Sequence, residues 1–556
     1  MRRPAKINII LMTLLAILCL TIFGQGINHG FTNLDDNLYV SANPELERGL
    51  SPSGLRWAFT NRQTNLWMPL TWISYLTDHQ FFGPAPAAYH LTNILLHLMN
   101  TLLLFLVMGR FTGTLWRAGL VAALFAVHPL HVESVAWVAE RKDVLSGFFF
   151  LLTVWFYLGY RRRPAIANYF AALFCFILSL MAKPMVVTLP IVLLLLDFWD
   201  QPIRRPLKRI LLEKIPFLAL AAALSVITFL LVQTREIGAP DPIPLSERLS
   251  QAVVFYTLYI GKMFWPTNLS VFYPPDSLQF SFSLILVSSM VLAAVMSATW
   301  RGRNRHRPVL IGWLWYVVML LPVAGIVQGG MQLMSDRYFY LPSIGLFIAL
   351  AWLLAWIAEI PRLRRVVQAV VLSGLLVATV SSIQQTRVWQ SSETLYTHAL
   401  KINAENYLAH MNLGVVLDDA GRSAEALHHL TRAVEIRKDA QHQFNLANAL
   451  SHLGRNVEAI PFYRGAVRLQ PDFPVAHNNL AISLVNTGDW DGAGRHFRIA
   501  IDQDPDYAGA HYNLGLVQLN TDRIKEAAEC FRRALELAPD HRDAREQLQR
   551  LDAVDN

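Results

Sequence analysis

Apolar residues fill the first two thirds of the chain in blocks of about 20, the length a helix needs to cross a bilayer. The blocks fall at about 7–24, 89–109, 116–134, 143–160, 166–182, 184–199, 211–233, 281–299, 307–327, 338–358 and 364–383, which predicts eleven membrane helices. A twelfth stretch, 250–265, carries Gln251, Tyr256, Tyr259, Gly261 and Lys262 and is less apolar than the others. Basic residues in short loops mark the cytoplasmic side and decide how to count it. If 250–265 lies in the interface or re-enters, the clusters Arg2–Lys6, Arg110–Arg117, Arg161–Arg163, Arg204–Arg209, Arg301–Arg307 and Arg362–Arg365 all fall inside. If it spans, the last two move outside. Eleven spans fit better, and that parity puts the loop 25–88 and everything after the last helix outside. The first block follows Arg2, Arg3 and Lys6 and is just long enough to span, with no convincing small-x-small cleavage site. It reads as an uncleaved first helix.

Beyond Ile383 the pattern changes to a period of 34 residues. Gly421, Gly454, Gly488 and Asp522 hold the turn position; Ala426, Ala459, Ala493 and Ala527 follow five residues later. Leu430, Tyr463, Phe497 and Phe531 come next, then Ala433, Ala466, Ala500 and Ala534, with Pro471, Pro505 and Pro539 closing their units. Small alanines let two antiparallel helices approach while the larger residue fills the gap, which is the tetratricopeptide (TPR) pattern. A half unit, Glu393 to Lys401, places Tyr396 and Ala399 in the same register, and the polar last helix with Arg542, Glu546, Gln549 and Arg550 caps the array. The expected fold is all-α. A polytopic membrane domain covers 1–385, with the external loop 25–88, and a TPR α-solenoid covers 386–556. The solenoid comprises a half repeat at 390–405 and repeats at about 406–439, 440–473, 474–507 and 508–541. Asn445, Asn479 and Asn513 recur on first helices, where an amide can bond the backbone of an extended peptide; they are equally ordinary TPR positions.

Composition agrees with that division. Apolar residues make up 54% of the 556 and charged ones 16%. From Ile383 onward 18 basic face 23 acidic side chains, leaving 30 basic and 17 acidic before it. The basic excess sits in loops between apolar blocks and sets topology, so no nucleic-acid partner is expected. Cys19, Cys175 and Cys530 are too dispersed for a disulfide framework or metal site.

Polar clusters at the ends of membrane helices are candidate sites, because such residues are costly there. Three occur, all on the external side by the parity above. Asp35 and Asp36, within Asn33–Asn37, offer two adjacent carboxylates as general base or acceptor anchor. His128, His131, Glu133, Glu140, Arg141, Lys142 and Asp143 crowd the junction of two spans. His128 and His131 suit metal ligands by type. However, Pro129 breaks the helical register and no further ligand is evident, so a hydrogen-bonded hairpin offering Arg141 or Lys142 to an anion is preferred. Asp336, Arg337 and Tyr338 open the penultimate helix, where the planar guanidinium suits a lipid phosphate and Tyr338 suits the interface. No phosphate-binding loop or nucleophile elbow appears in a convincing context, so an activated substrate already outside is required. A polyprenyl-phosphate sugar meets that need.

Leu34–Tyr39, Leu91–His97, His128–Trp137, Glu140–Leu145 and Asp336–Tyr338 together resemble the transmembrane-and-TPR (TMTC-type) O-mannosyltransferases and their bacterial relatives, across essentially the whole chain. The resemblance implies a GT-C glycosyltransferase fold. It also implies an acidic residue of the first external loop as base or acceptor anchor, which maps onto Asp35 and Asp36. A basic residue at the donor phosphate is the third implication, for which Arg337, Arg141 and Lys142 are the candidates. The expectation is an inverting transfer of a sugar, mannose by that resemblance, to Ser or Thr hydroxyls of extracytoplasmic proteins presented by the TPR groove. The chain would sit in a bacterial inner membrane among its lipids, with the repeats periplasmic, no tightly bound cofactor and no metal requirement. Two rivals stay open: a non-enzymatic membrane-anchored TPR scaffold, and a glycan ligase or polymerase.

Overall fold

The computed structural model describes residues 3–61, 66–199, 205–233, 244–273, 280–326 and 334–554. Arg2 and Arg204, each part of a topological basic cluster, lie outside the described residues. Among the described residues no strand forms, and the chain divides into two compact units, Met1–His398 and Ala399–Asn556.

In the first unit six helical segments are long and apolar enough to cross a membrane. They are Lys6–Asn28, Pro86–Thr112, Val138–Arg162, Leu207–Thr228, Phe282–Arg301 and Pro361–Val388. A bent pair, Leu115–Val127 with Pro129–Ala136, is long and apolar enough only when its two halves are taken together, and is broken by 58°. Pro129 causes the break, since it lacks an N–H and pushes the residue before it out of helical geometry. The Leu130 amide, freed at the bend, donates to His128 Nδ1 at 3.3 Å. Four shorter apolar helices, Ile166–Ala182, Pro184–Asp197, Arg307–Val323 and Pro342–Ile357, stand at the remaining expected spans. Residues 250–265 fall in an amphipathic helix, Leu245–Phe264, that buries Ala252, Val254, Phe255 and Tyr259 and ends on the exposed Phe264 and Trp265.

The helix Pro86–Thr112 organises this unit. It buries Asn93, His97 and Asn100, residues that recur at helical spacing and so share one face. In apolar surroundings each polar group needs a protein partner. Asn93 Nδ2 donates to the Trp137 carbonyl at 3.1 Å, Asn100 Nδ2 to the Val144 carbonyl at 2.8 Å, and His97 Nδ1 lies 2.9 Å from Tyr340 Oη. These bonds tie the start of the segment Val138–Arg162 and the turn before Pro342–Ile357 to one helix. The helices Arg307–Leu320 and Pro342–Ile357 cross backbone to backbone. A Cβ on Gly312 would stand 2.3 Å from the Gly345 carbonyl oxygen, and one on Gly345 would stand 2.4 Å from that of Gly312. At the other end of Arg141–Arg162, Asp197 Oδ2 accepts from Tyr157 Oη at 2.5 Å and from Lys214 Nζ at 2.6 Å, and its Oδ1 is 3.0 Å from Arg161 Nε.

The second unit consists of four helix pairs and a closing helix. The pairs are Tyr407–Asp419 with Ser423–Ile436, Ala440–His452 with Asn456–Leu469, Pro474–Asn486 with Trp490–Gln503, and Ala508–Asn520 with Ile524–Leu537, followed by Arg542–Val554. The repeat alanines Ala426, Ala459, Ala493 and Ala527 are fully buried. Leu430 packs on Gly414 and Phe531 on Gly515, each within its own pair. Asp522 takes the left-handed turn conformation (φ 59°) that Gly488 takes in the preceding unit (φ 88°).

Candidate functional site

The two adjacent carboxylates of the acidic turn after the first helix have opposite surroundings. Asp36 is 1% exposed. Its Oδ2 accepts from the Thr32 amide at 2.8 Å and Thr32 Oγ1 at 2.9 Å, and its Oδ1 accepts from the Ala139 amide at 2.8 Å. Burial pushes its carboxyl up to about 6, against the pull of those donors. Asp36 therefore pins the acidic turn to the segment that carries Glu140–Asp143. Asp35 is half-buried; its backbone carbonyl accepts from the Tyr39 amide at 3.0 Å, but its carboxylate has no hydrogen-bond partner among the described residues. Burial raises its carboxyl, opposed first by the charge of Lys142; Glu140 raises it further and Arg337 lowers it. Asp35 thus faces the cluster that the other two motifs build.

That cluster joins residues far apart in the chain. Arg337 Nη1 donates to Glu133 Oε1, its backbone amide donates to Glu133 Oε2 at 3.2 Å, and its Nε lies 3.1 Å from Glu140 Oε1. Lys142 Nζ is 2.9 Å from Glu140 Oε1 and donates to the Ala139 carbonyl at 2.7 Å, with the Tyr39 ring 5.0 Å away. Lys183 Nζ bridges Glu140 Oε2 at 3.3 Å and Asp143 Oδ1 at 2.5 Å, and Ser134 Oγ donates to Asp143 Oδ2 at 3.1 Å. Asp336 Oδ1 accepts from Tyr273 Oη at 2.9 Å and is 3.6 Å from Lys262 Nζ; burial raises its carboxyl against that ammonium. Trp137 lies under the Arg337 guanidinium at 5.3 Å and stacks on Trp389, and Tyr338 flanks the same guanidinium at 5.1 Å. Glu133, Glu140, Asp143 and Asp336 are thereby balanced by Lys142, Lys183, Lys262 and Arg337. Asp35 and Asp36 are additional negative charge beside a balanced set.

Three expected participants have other duties. Arg141 is fully buried: Nη1 is 2.5 Å from Asp78 Oδ2, Nε donates to Asn93 Oδ1 at 2.9 Å, and Nη2 donates to the Tyr89 carbonyl at 2.8 Å. Its guanidinium also lies 4.6 Å from the Tyr75 ring. It fastens the helix Pro69–Phe82 to the helix Pro86–Thr112. His128 Nε2 donates to the Met263 carbonyl at 3.0 Å, and His131 Nδ1 donates to the Phe125 carbonyl at 2.8 Å. With the Leu130 amide on His128 Nδ1 and Ser343 Oγ 3.0 Å from His131 Nε2, all four ring nitrogens are engaged. Both rings pack against Phe339 and Phe347. Among the described residues no group of three or more His, Cys, Asp or Glu side chains is placed to hold a metal ion.

Sequence reasoning passed over Asp78, Lys183, Lys262, Tyr273 and Trp389. Lys183 had a signal: an ammonium between two apolar blocks is costly unless it is paired. Asp78 and Tyr273 had none, because each earns its place through one long-range contact.

In the second unit the repeat asparagines join into a ladder. Asn513 Nδ2 donates to Asn478 Oδ1 at 3.1 Å, Asn478 to Asn479 at 3.1 Å, and Asn479 to Asn448 at 3.1 Å. Asn445 Oδ1 accepts from Gln441 at 3.0 Å. Asn445, Asn479 and Asn513 are half-buried.

The tetratricopeptide repeat family model matches residues 384–440, 411–474 and 478–542. Human protein O-mannosyl-transferase TMTC1 is 24% identical over 519 residues, covering 78% of this chain and 55% of that protein. Human protein O-mannosyl-transferase TMTC4 is 26% identical over 436 residues, covering 66% and 58%. The chain thus spans about half the length of the curated relatives it matches. Among solved structures, YrrB, a TPR protein with an unusual peptide-binding site, is 24% identical over 28% of this chain and 82% of its own, with a TM-score of 0.27.

Proposed function

We propose that this chain, a relative of the TMTC-type protein O-mannosyl-transferases, moves a sugar from a polyprenyl-phosphate donor to Ser or Thr hydroxyls of proteins on the outer side of a bacterial inner membrane. Mannose is the sugar the relatives' names favour. The reading rests on one observation: the carboxylate of Asp36 is saturated by three donors, whereas that of Asp35 beside it has none among the described residues and feels the charges of Lys142 and Arg337.

In this mechanism Asp35 takes the proton of the acceptor hydroxyl as that oxygen attacks the anomeric carbon. The bond from that carbon to the phosphate oxygen breaks, its electron pair leaves with the polyprenyl phosphate, and the configuration inverts. Lys142 and Arg337 meet the phosphate charge, and Glu133, Glu140 and Lys183 hold them at the correct height. Asp36 keeps the turn in place. Arg141 has no part in phosphate binding, because its donors serve Asp78, Asn93 and Tyr89. The asparagine ladder of the repeats binds the acceptor as an extended chain, its side-chain amides bonding the peptide backbone. No step in this scheme calls on a metal ion.

The experiment compares envelope glycoproteins from a deletion strain complemented with wild type, Asp35→Asn and Asp36→Asn. Loss of glycosylation with Asp35→Asn at normal membrane levels is the expected result. An unchanged glycoprotein profile would leave a scaffold, and a changed glycan polymer with unmodified proteins would identify a ligase.

A further inference from the structure

The half repeat ahead of the TPR array lacks a first helix, yet the positions that face a first helix are occupied. In every complete repeat the second helix buries a small alanine (Ala426, Ala459, Ala493, Ala527) and, four residues on, a larger side chain (Leu430, Tyr463, Phe497, Phe531). Leu430 and Phe531 pack on the first helix of their own repeat at Gly414 and Gly515, and Tyr463 Oη donates to Asn448 Oδ1 at 2.7 Å. Counting back 34 residues from Ala426 and Leu430 gives Ser392 and Tyr396.

Both are buried and both end on one residue. Ser392 Oγ accepts from the Asn33 backbone amide at 2.9 Å, and Tyr396 Oη donates to Asn33 Oδ1 at 2.8 Å. Asn33 is two residues from Asp35. The Gly30 amide donates to the Gln390 carbonyl at 3.2 Å, Gln25 Nε2 donates to the Ile383 carbonyl at 3.0 Å, and the Tyr396 ring stacks on Phe272 at 6.1 Å. Tyr396 thus repeats on Asn33 the bond that Tyr463 makes to Asn448. The small position has become a serine whose hydroxyl reaches the same residue. Asn33, Ser392 and Tyr396 all belong to the first unit, Tyr463 and Asn448 to the second.

We infer that the acidic turn serves as the missing first helix of the half repeat, and that Ser392 and Tyr396 are positioning residues for Asp35. The inference rests on the proposed role of Asp35 only for its effect on rate; the clamp itself is independent of it. Removing the hydroxyl of Tyr396 releases Asn33, so the turn samples more positions and Asp35 spends less time in line with its acceptor. Misplacement on the scale of an ångström lowers turnover by about tenfold to a hundredfold and leaves donor binding alone.

The test measures carbodiimide labelling of Asp35 by mass spectrometry in full-length wild type, Tyr396→Phe, Ser392→Ala and Tyr463→Phe. Turnover and KM for a polyprenyl-phosphate mannose are measured alongside across a pH series. Tyr396→Phe and Ser392→Ala are expected to raise the labelling rate several-fold and to lower kcat at unchanged donor KM, with the acid limb of the pH profile displaced. Tyr463→Phe, which removes the equivalent bond inside the array, should label as wild type. Wild-type labelling in both Tyr396→Phe and Ser392→Ala overturns the inference whatever the activity, and so does an equal rise in Tyr463→Phe. Faster labelling in a protein without transferase activity would sink the proposed function and leave the clamp standing.

Discussion

Two buried charge clusters sit at opposite ends of the helix Arg141–Arg162, and they are composed differently. At the far end Asp197 is met by Tyr157, Lys214 and Arg161, so its carboxylate has partners on both oxygens. At the near end a larger network balances four carboxylates with four cations and then adds Asp35 and Asp36. A buried ion pair gains little net stability, because desolvation offsets attraction, but losing one partner is expensive. The far cluster is thus a staple that fixes helix positions. Asp36 is held by three donors and fixes the turn, so the near cluster carries in Asp35 a charge that packing does not use, and such a charge is where chemistry is expected.

The largest expected effect separates the two clusters directly. Asp35→Asn should lower sugar transfer by a factor of about 10² to 10⁴, the range of a lost general base, while its thermal midpoint stays near wild type. Asp197→Asn should do the reverse. Transfer per folded molecule persists, while the buried Lys214 and the half-buried Arg161 lose their shared carboxylate at a cost of about 3–5 kcal/mol. Activity and melting measured in one detergent decide it; parallel losses in both variants would make the clusters equivalent.

Next comes Glu140→Gln, which removes the charge facing Lys142, Lys183 and Arg337 together. The expected cost is again about 3–5 kcal/mol, seen as a lower melting temperature that Asp35→Asn does not share. Equal melting of the two variants would place both residues on the functional side of the comparison.

A smaller effect concerns pH. Asp36 titrates near 6 in the fold against 3.8 for the ordinary group. With a raised carboxyl, its contribution is complete below about pH 4 and is lost as pH rises through about 6, worth roughly 3 kcal/mol. Wild type should therefore lose more stability than Asp36→Asn between pH 4 and pH 7. A constant difference between their melting temperatures over that range would mean that Thr32 and Ala139 outweigh burial.

The smallest effect is in the second unit. Asn479→Ala deletes one rung of the ladder and should weaken binding of an extended acceptor peptide by about twofold to tenfold, the value of one net hydrogen bond. Calorimetry on the full chain measures it; unchanged affinity would mark the ladder as packing alone.

The repeats were legible almost residue by residue, because the same small and large positions recur and each explains the next. The eleven apolar blocks were legible for the same reason, since length and polarity are local properties. The site was legible only as a set of neighbourhoods. Asp35 and Asp36 look alike in the chain, and what distinguishes them is the turn that brings Thr32 onto Asp36 and an amide 103 residues away on Ala139. Arg141 and Lys142 are also adjacent, but consecutive helical residues point about 100° apart. One turns to Asp78 and the other to Glu140. Neighbours in sequence predicted a shared task that helix geometry divides.

The crossing of Gly312 and Gly345 bears on all of this. Gly345 lies eight residues beyond Arg337, in the helix that the Asp336–Phe339 turn leads into. Where two backbones meet with no side chain between them, one methyl group would force the helices apart by about the width of an atom. The leverage falls on the guanidinium at the start of that helix, so the seating of Arg337 between Glu133 and Glu140 is calibrated by two hydrogen atoms that touch neither carboxylate. A saturation-mutagenesis screen would meet this as two intolerant positions with no visible chemistry.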